Sequence, residues 1–293
     1  MNALLQGNVL PGLLAALLWG GGDFSGAMGV KHAGGSLRSA LRVILLSHAA
    51  SFVVLLLLAR LRGDGFPHGS PLAWGVAAGV AGGLSLACFY IALSRGAMGA
   101  SAAVSGLLAA AIPAGVSIAA EGSPGLLKVS GFALAAAAIW LIAAGPNPEA
   151  KTADTGTIWL ALTAGVGFGV YFVALKMAGV AGLVWPMATA RMGSITVCSL
   201  LLAGLSLAGH GGQSRMDGRV LRWALATAVM DTSGNLLFIA ATRAGRLDVA
   251  AVLASLYPAS TILLAAWMLR EKPTFRQGIG MAVAALAVLM ITL

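Results

Sequence analysis

The sequence predicts an all-helical integral membrane protein with ten transmembrane helices in two inverted five-helix repeats. Three observations carry this prediction: the composition, the number of long apolar runs, and a repeat that divides the chain in half. Of the 293 residues, 59% are hydrophobic and 9% are charged, whereas soluble domains carry roughly 25% charged residues. So few charges cannot cover a water-facing surface. The composition therefore excludes a disordered chain, a disulfide scaffold and a nucleic-acid binder.

Ten apolar runs are long enough to cross a bilayer, because a helix needs about 20 mainly apolar residues to span the hydrocarbon core. The net charge of +9 comes from basic residues scattered between these runs, which is typical of loop anchors at lipid head groups. The connections are short, so any functional site must lie within the membrane. The predicted spans are Val9–Val30, Leu37–Leu58, Leu72–Leu93, Met98–Ala119, Leu126–Ala144, Thr157–Ala178, Val184–Ala208, Leu221–Thr242, Leu247–Leu269 and Phe275–Leu293.

The two halves of the chain resemble each other at a constant offset of 149 residues. This offset pairs residue types that seldom coincide by chance in an apolar sequence, such as Trp74 with Trp223 and Arg42 with Arg191. A repeat is a better explanation of these pairs than chance alignment.

The repeat predicts an inverted architecture because each half holds five spans. After an odd number of spans, the second half enters the membrane from the opposite side, and the halves are related by a two-fold axis in the membrane plane. Secondary transporters are built in this way. We therefore divide the chain into a first repeat, 1–145, a polar linker, 146–155, and a second repeat, 156–293.

Several segments resemble EamA-type transporters of the drug/metabolite transporter superfamily. These are the opening LLWGGGDFSG, the segment FYIALSRGAMGASAAVSGLLAAAIP, and most of the chain after FIAATRAGRLDVAAVLASLYP. The resemblance covers essentially the whole chain and is more specific in the second half. There, the sequence REK at residues 270–272 matches the acidic loop signature of the family. Its counterpart in the first half, EGSP at 121–124, lacks the following basic residue.

The resemblance implies a central cavity lined mainly by spans 1–4 and 6–9, through which small metabolites pass. Amino acids and related compounds are frequent substrates in this family, and we expect efflux across the cell (inner) membrane. The resemblance also implies cytoplasmic termini. The distribution of basic residues favours an outside N-terminus instead, so the two indications of orientation disagree.

Polar and aromatic side chains within the spans are the candidate site residues, because ionisable groups are costly in a bilayer and are usually functional. His48, in contrast, is interpreted as a packing residue. A proline in span 9 is a candidate kink or hinge, because proline leaves a helix carbonyl without its donor. The candidate cavity residues are Trp19, Asp23, Arg42, Tyr171, Arg191, Asp231, Asn235 and Tyr257, and the candidate hinge is Pro258.

The two repeat-related arginines receive different interpretations. A count at about 1.5 Å per residue puts Asp23 and Asp231 at the level of Arg42. Arg42 can form a static ion pair or contact the substrate, and the sequence leaves both interpretations open. The same count separates Arg191 from Asp231 by about 9 Å along the membrane normal. We therefore expect Arg191 to lack a carboxylate partner and to bind a substrate carboxylate, with a snorkelling arginine as the alternative.

The remaining candidates each have a functional and a structural interpretation. Asp231 and Asn235 share one helix face. Asp231 can carry a coupling proton, because a water-poor cavity favours a neutral carboxyl, or it can belong to a helix–helix hydrogen-bond cluster. The same alternatives apply to Asp23. Trp19 and Tyr257 can stack on a substrate or simply pack within the bundle.

Two other functions compete with transport. An intramembrane enzyme would use Asp23 and Asp231 as a pair of carboxylates, and a channel would need a polar pore stripe or a carbonyl filter. The sequence contains neither HExxH nor GxxxxGK[ST], and we expect no metal or cofactor. The prediction is thus a transporter, not an enzyme. It would move small carboxylate-bearing metabolites by alternating access, with a coupling proton as a further candidate partner.

Overall fold

The computed structural model describes residues 7–94, 98–143, 155–209, 214–268 and 274–293, and within these ranges the chain is helical without strands. Residues 146–154 of the predicted linker and the sequence at 270–272 lie outside the described residues. The helices are α1 (Val9–His32), α2 (Leu37–Arg62), α3 (Ser70–Ser94), α4 (Met98–Glu121), α5 (Leu126–Ala143), α6 (Thr155–Ala178), α7 (Val184–Leu207), α8 (Gly218–Ala244), α9 (Leu247–Ala254), α10 (Tyr257–Met268) and α11 (Phe275–Thr292).

Eight of the helices in the described ranges are long and apolar enough to cross a membrane. Two shorter apolar stretches, Leu126–Ile142 and Leu247–Thr261, occupy the positions of predicted spans 5 and 9. The chain is therefore a multi-pass integral membrane protein.

Most predicted spans agree with the observed helices to within four residues. The largest differences lie where helices continue past the last apolar residue. For example, α2 extends beyond the predicted Leu58 and ends at Arg62. Basic side chains are favourable in the last turn of a helix and reach water from there. Gly63, with φ 69°, then ends the helix.

Predicted span 9 is not one continuous helix. It is divided into α9 and α10 by a turn at Ser255 and Leu256. The N–H of Leu256 donates to the carbonyl of Leu253 at 3.2 Å, three residues earlier. Pro258 has no N–H to donate to the carbonyl of Ala254, so the helix cannot continue through this point. The break thus lies beside the predicted kink.

Contacts between helix ends define two faces of the bundle. At the face where α1 begins, the Nδ2 of Asn8 donates to the carbonyl of Arg246 at 2.9 Å. At the opposite face, the N–H of Arg215 donates to the carbonyl of Ala33, just after α1, at 3.1 Å. We call these the first face and the second face. Helices α1 and α8 thus run between the two faces.

Small residues allow the helices to pack closely around the centre. The most extensive helix pairs are α1 with α8, α3 with α6, and α5 with α11. A Cβ on Gly22 of α1 would lie only 3.2 Å from the backbone nitrogen of Asp231 in α8. Close backbone contact through glycine is the usual packing mode of membrane helices, and here it brings two acid-bearing segments together.

Candidate functional site

A central cavity of about 660 Å³ lies between the two halves of the protein. Its walls come from α1, α2, α3 and α4 of the first half and from α6, α7, α8 and α10 of the second half. These are the helices that correspond to spans 1–4 and 6–9.

Seven of the eight predicted cavity residues line this space. They are contributed by five helices, and the cavity surface is otherwise mainly apolar, with glycines from α3 giving the room. The seven are Trp19, Asp23, Tyr171, Arg191, Asp231, Asn235 and Tyr257. Their location in one cavity is a structural fact, while their part in binding stays a prediction.

Arg191 does have a carboxylate partner, so the prediction of an uncompensated guanidinium is wrong. Its Nη2 forms an ion pair with Asp231 and also donates to the hydroxyl of Thr232 at 2.8 Å. The depth count failed because it compared Cα levels in straight, upright helices, whereas helices tilt and an arginine side chain reaches several ångströms. Arg191 is 3% exposed, which also rules out the snorkelling alternative.

The Arg191–Asp231 pair leaves part of the guanidinium unused. Among the described residues, the buried Nε of Arg191 has no hydrogen-bond partner. A buried donor without an acceptor is costly, and in an Arg–carboxylate fork two nitrogens act together. The guanidinium therefore retains one donor, Nε, without an acceptor.

Arg42 does not line the cavity, in contrast to the prediction. Its Nη1 donates to the carbonyl of Ser214, ahead of α8, at 3.1 Å. Neither predicted carboxylate, Asp23 nor Asp231, is its partner in the described structure. Arg42 instead ties α2 to the start of α8 at the second face.

Asp23 and Asp231 lie close together across the contact between α1 and α8. They repel each other electrostatically, and both line the central cavity and a smaller space of about 300 Å³ beside it. Asp231 is paired with Arg191. Within the described part of the chain, no group donates a hydrogen bond to the Asp23 carboxylate. One cation thus faces two acids, and Asp23 is the acid that lacks compensation.

Asn235 and Tyr171 join α8 to α6 through side-chain hydrogen bonds. The hydroxyl of Tyr171 donates to the Oδ1 of Asn235 at 2.7 Å. The Nδ2 of Asn235 donates to the carbonyl of Asp231, also at 2.7 Å. Both side chains are buried, so this bridge holds the helix that carries Asp231 in position.

Trp19 is held inside an aromatic cluster. Its indole is stacked on the ring of Phe172, with centroids 5.0 Å apart and planes 1° apart, and lies 5.5 Å from Phe238. A Cβ on Gly234 would lie 2.6 Å from the indole. These contacts hold Trp19 in place and favour the packing interpretation, although the side chain still forms part of the cavity wall.

His48 also lines the cavity, which sequence reasoning missed. Its Nδ1 is 2.8 Å from the Oγ of Ser194 in α7, and both residues border the site. Ser194 also donates to the carbonyl of Arg191 at 3.1 Å. Because His48 lies six residues after Arg42 on α2, its place in the cavity could have been inferred only from which face of α2 meets α7.

The helices and the cavity shared by both halves define a multi-pass membrane protein with a central site. Residues 155–293 match the model of the EamA-like transporter family. The second half of the chain thus matches this family, which is part of the drug/metabolite transporter superfamily. The expected relationship is thus confirmed, with the second half as its more specific part.

The fold is shared with a solved structure titled only as the crystal structure of a protein. The TM-score is 0.74 over 96% of this chain and 94% of the other chain, at 16% sequence identity. This similarity shows a common fold over nearly the whole length. No curated protein matches the chain.

Proposed function

We propose that this protein is a secondary-active transporter that moves small carboxylate-bearing metabolites across the cell (inner) membrane by alternating access. The observation that carries the proposal is a central cavity lined by a buried arginine that has one hydrogen-bond donor left over. The proposed division of the chain into repeats at 1–145 and 156–293 explains how such a cavity can face each side in turn.

Reciprocal contacts between α5 and α11 support a two-fold relation of the halves. A Cβ on Gly131 would lie 2.7 Å from Ile291, and a Cβ on Gly280 would lie 2.7 Å from Ile142. The offset of 149 residues relates Gly131 to Gly280 and also Ile142 to Ile291. A two-fold relation of the halves would generate each of these contacts from the other.

A second reciprocal contact joins α1 to α10 and α6 to α4. A Cβ on Gly20 would lie 2.8 Å from the nitrogen of Thr261, and a Cβ on Gly169 would lie 2.7 Å from the Cβ of Ile112. The same offset relates Gly20 to Gly169 and Ile112 to Thr261. The pairing of α1 with α8 and of α3 with α6 follows this symmetry too. An inverted pair of halves provides the two alternative packings that alternating access requires.

The unpartnered Nε of Arg191 supports a substrate with a carboxylate. A carboxylate oxygen can accept from Nε while Nη2 stays bound to Asp231 and Thr232. An amino group on the same substrate would face Asp23, which lacks a cationic partner. The cavity is thus suited to zwitterionic compounds such as amino acids, in keeping with the family. We expect export as the direction.

A coupling proton is best assigned to Asp23. Asp231 is paired with the adjacent Arg191, whereas Asp23 has no ion-pair partner among the described residues. A proton on Asp23 balances the charge of the empty cavity, and a cationic substrate group would displace it. Such competition would link substrate movement to a proton gradient.

The experiment is a thermal-shift screen of the purified protein against metabolites, followed by counterflow in liposomes. A ligand that binds the folded state raises the melting temperature by mass action. We expect stabilisation by one or more compounds with a free carboxylate, loss of stabilisation by their amides, and saturable counterflow. Flux that does not saturate would indicate a channel, and product formation without a gradient would indicate an enzyme.

A further inference from the structure

Ion pairs and hydrogen bonds at the first face join helix ends of the two halves at a single residue, Arg246. Its Nη2 donates to the carbonyl of Gly122, after α4, at 2.7 Å, and its Nη1 lies 3.8 Å from the carboxylate of Glu121. The carbonyl of Arg246 accepts from Asn8, ahead of α1. Glu121 also pairs with Lys176 of α6 at 2.9 Å. We call the contacts of Arg246 with Glu121 and Gly122 the latch.

The latch holds the outer end of α9, a short helix that fills the space between the first face and the cavity. All eight residues of α9 are buried. Asp248 in its first turn is fully buried, accepts from the N–H of Val249 at 2.8 Å, and pairs with Arg246 at 2.7 Å. The other end of α9 leads to Tyr257 in the cavity wall. Hence α9 lies where a path from the first face to the cavity would run.

The inner end of α9 is separated from α10 by the break at Ser255 and Leu256. Pro258 removes the hydrogen bond that would make the two helices one rigid rod. Changes of backbone angle in a few residues at the end of an element are enough for hinge motion. A buried half-helix with a latch at one end and a break at the other end can move as a unit.

We propose that α9 is the gate on the first face, and that the latch keeps it closed. This inference rests on the alternating access of the proposed function. The latch side chains are partly exposed, 27% for Arg246 and 35% for Glu121, and ion pairs in such surroundings are weak. The latch therefore stabilises the closed state without making it permanent.

The experiment measures how fast a cysteine in the cavity reacts with a membrane-impermeant thiol reagent added at the first face. Ala109, which is 1% exposed and lines the cavity, is replaced by cysteine in a background without Cys88 and Cys198. The probe is a quaternary-ammonium methanethiosulfonate. A separate Gly65→Cys variant, at an exposed site between α2 and α3, identifies vesicles whose first face points outwards.

Arg246→Gln should raise the labelling rate of the cavity cysteine from the first face at least tenfold, because the latch can no longer close. The matched control is Arg62→Gln. It removes an ion pair on the same face, but the partner Asp64 is only two residues away and the pair does not join the halves. Its rate should equal that of the parent.

Arg246→Lys covers the case in which Arg246→Gln does not fold. Lysine keeps the positive charge beside Asp248 but cannot donate to Asp248 and the Gly122 carbonyl with a fork, so we expect an intermediate rate. A parental rate in a folded variant at this position would overturn the gate. If transport fails while the gate responds, only the proposed function is contradicted. If transport works while the labelling rate stays unchanged, only the gate is contradicted.

Discussion

Arg42 and Arg191 occupy equivalent positions in the two halves, yet they have different surroundings. Arg191 pairs with Asp231 inside the cavity, whereas Arg42 donates to a loop carbonyl at the second face. The offset of 149 residues explains this difference, because the position equivalent to Asp231 in the first half is Gly82. Without a carboxylate there, Arg42 turns to another acceptor. Equivalent backbones thus do not imply equivalent chemistry.

The same asymmetry extends over the rest of the cavity. Asp23 corresponds to Phe172, and Asn235 corresponds to Leu86, so polar groups of one half are replaced by apolar groups at the corresponding positions of the other half. Gly82 leaves room for the ring of Tyr171, whose nearest atom would be 3.0 Å from a Cβ at this position. In the proposed mechanism, the repeat lets the halves move, and the differences between the repeats provide selectivity.

The largest expected effect is a difference in substrate binding between variants of the two arginines. Arg191→Ala should weaken substrate binding by about 3 kcal/mol, or roughly a hundredfold, because it removes one member of a buried hydrogen-bonded charge pair. Arg42→Ala should change binding by less than about threefold, since a contact at a loop carbonyl is worth only about 1–2 kcal/mol to stability. Ligand titrations followed by thermal shift measure both.

A double variant tests whether Arg191 acts on the substrate or only on Asp231. Arg191→Ala leaves a buried carboxylate unpaired and should lower the melting temperature. Arg191→Ala with Asp231→Ala should recover part of that stability without recovering binding. Recovery of binding in the double variant would show that Arg191 only neutralises Asp231.

The next prediction concerns Asp23, the acidic residue that the first half contributes to the cavity. Asp23→Asn should remove the dependence of uptake on a proton gradient while counterflow continues, because an amide cannot exchange a proton. Uptake into liposomes with and without an imposed gradient measures this loss. The control is Asp64→Asn in the exposed connection after α2, which should leave coupling intact. A gradient response equal to that of the parent in Asp23→Asn would place coupling elsewhere.

A smaller effect tests the reciprocal contacts of α5 and α11. Gly280→Leu should destabilise the protein by about 1–3 kcal/mol, because the new side chain overpacks against Ile142. Gly278→Leu, two residues earlier in the same helix, meets nothing within 4 Å and should be nearly neutral. Thermal unfolding in detergent compares the two variants. Equal melting temperatures would argue against this helix contact.

The smallest effect is expected at Tyr171. Tyr171→Phe removes the hydrogen bond to Asn235, and side-chain hydrogen bonds between membrane helices contribute about 0.6 kcal/mol on average. We therefore expect a slight fall in melting temperature with little change in counterflow. A large loss of substrate binding would instead show that the Tyr171 hydroxyl contacts the substrate.

The helical segments could be predicted from the sequence because membrane insertion demands long apolar runs, and charged residues mark their ends. The break at Ser255 and Leu256 could not be located so well, since Pro258 alone is compatible with either a kink or an interruption. Helix α2 was predicted too short because apolar content marks the edge of the bilayer and not the last hydrogen bond of the helix.

The sequence predicted which residues form the site, but it did not predict which of them pair with each other. Ionisable side chains are energetically costly inside a membrane, and this cost identified Asp23, Arg191 and Asp231 as cavity candidates. All three line the cavity. Their partners depend on helix tilt and side-chain reach, which a count along single helices does not contain. Arg42 met the same sequence criteria as Arg191, and His48 was dismissed, because only tertiary packing decides which face of α2 meets the cavity.

The most direct measurement labels single cysteines that follow α2 and α7, at Gly65→Cys and Met216→Cys. Both positions are exposed, and each is tested in intact cells with an impermeant maleimide before and after permeabilisation. If the two halves are inverted relative to each other, one of the two cysteines reacts only from outside and the other reacts only after permeabilisation. Reaction of both from the same side would contradict the inverted arrangement, and with it the carrier mechanism.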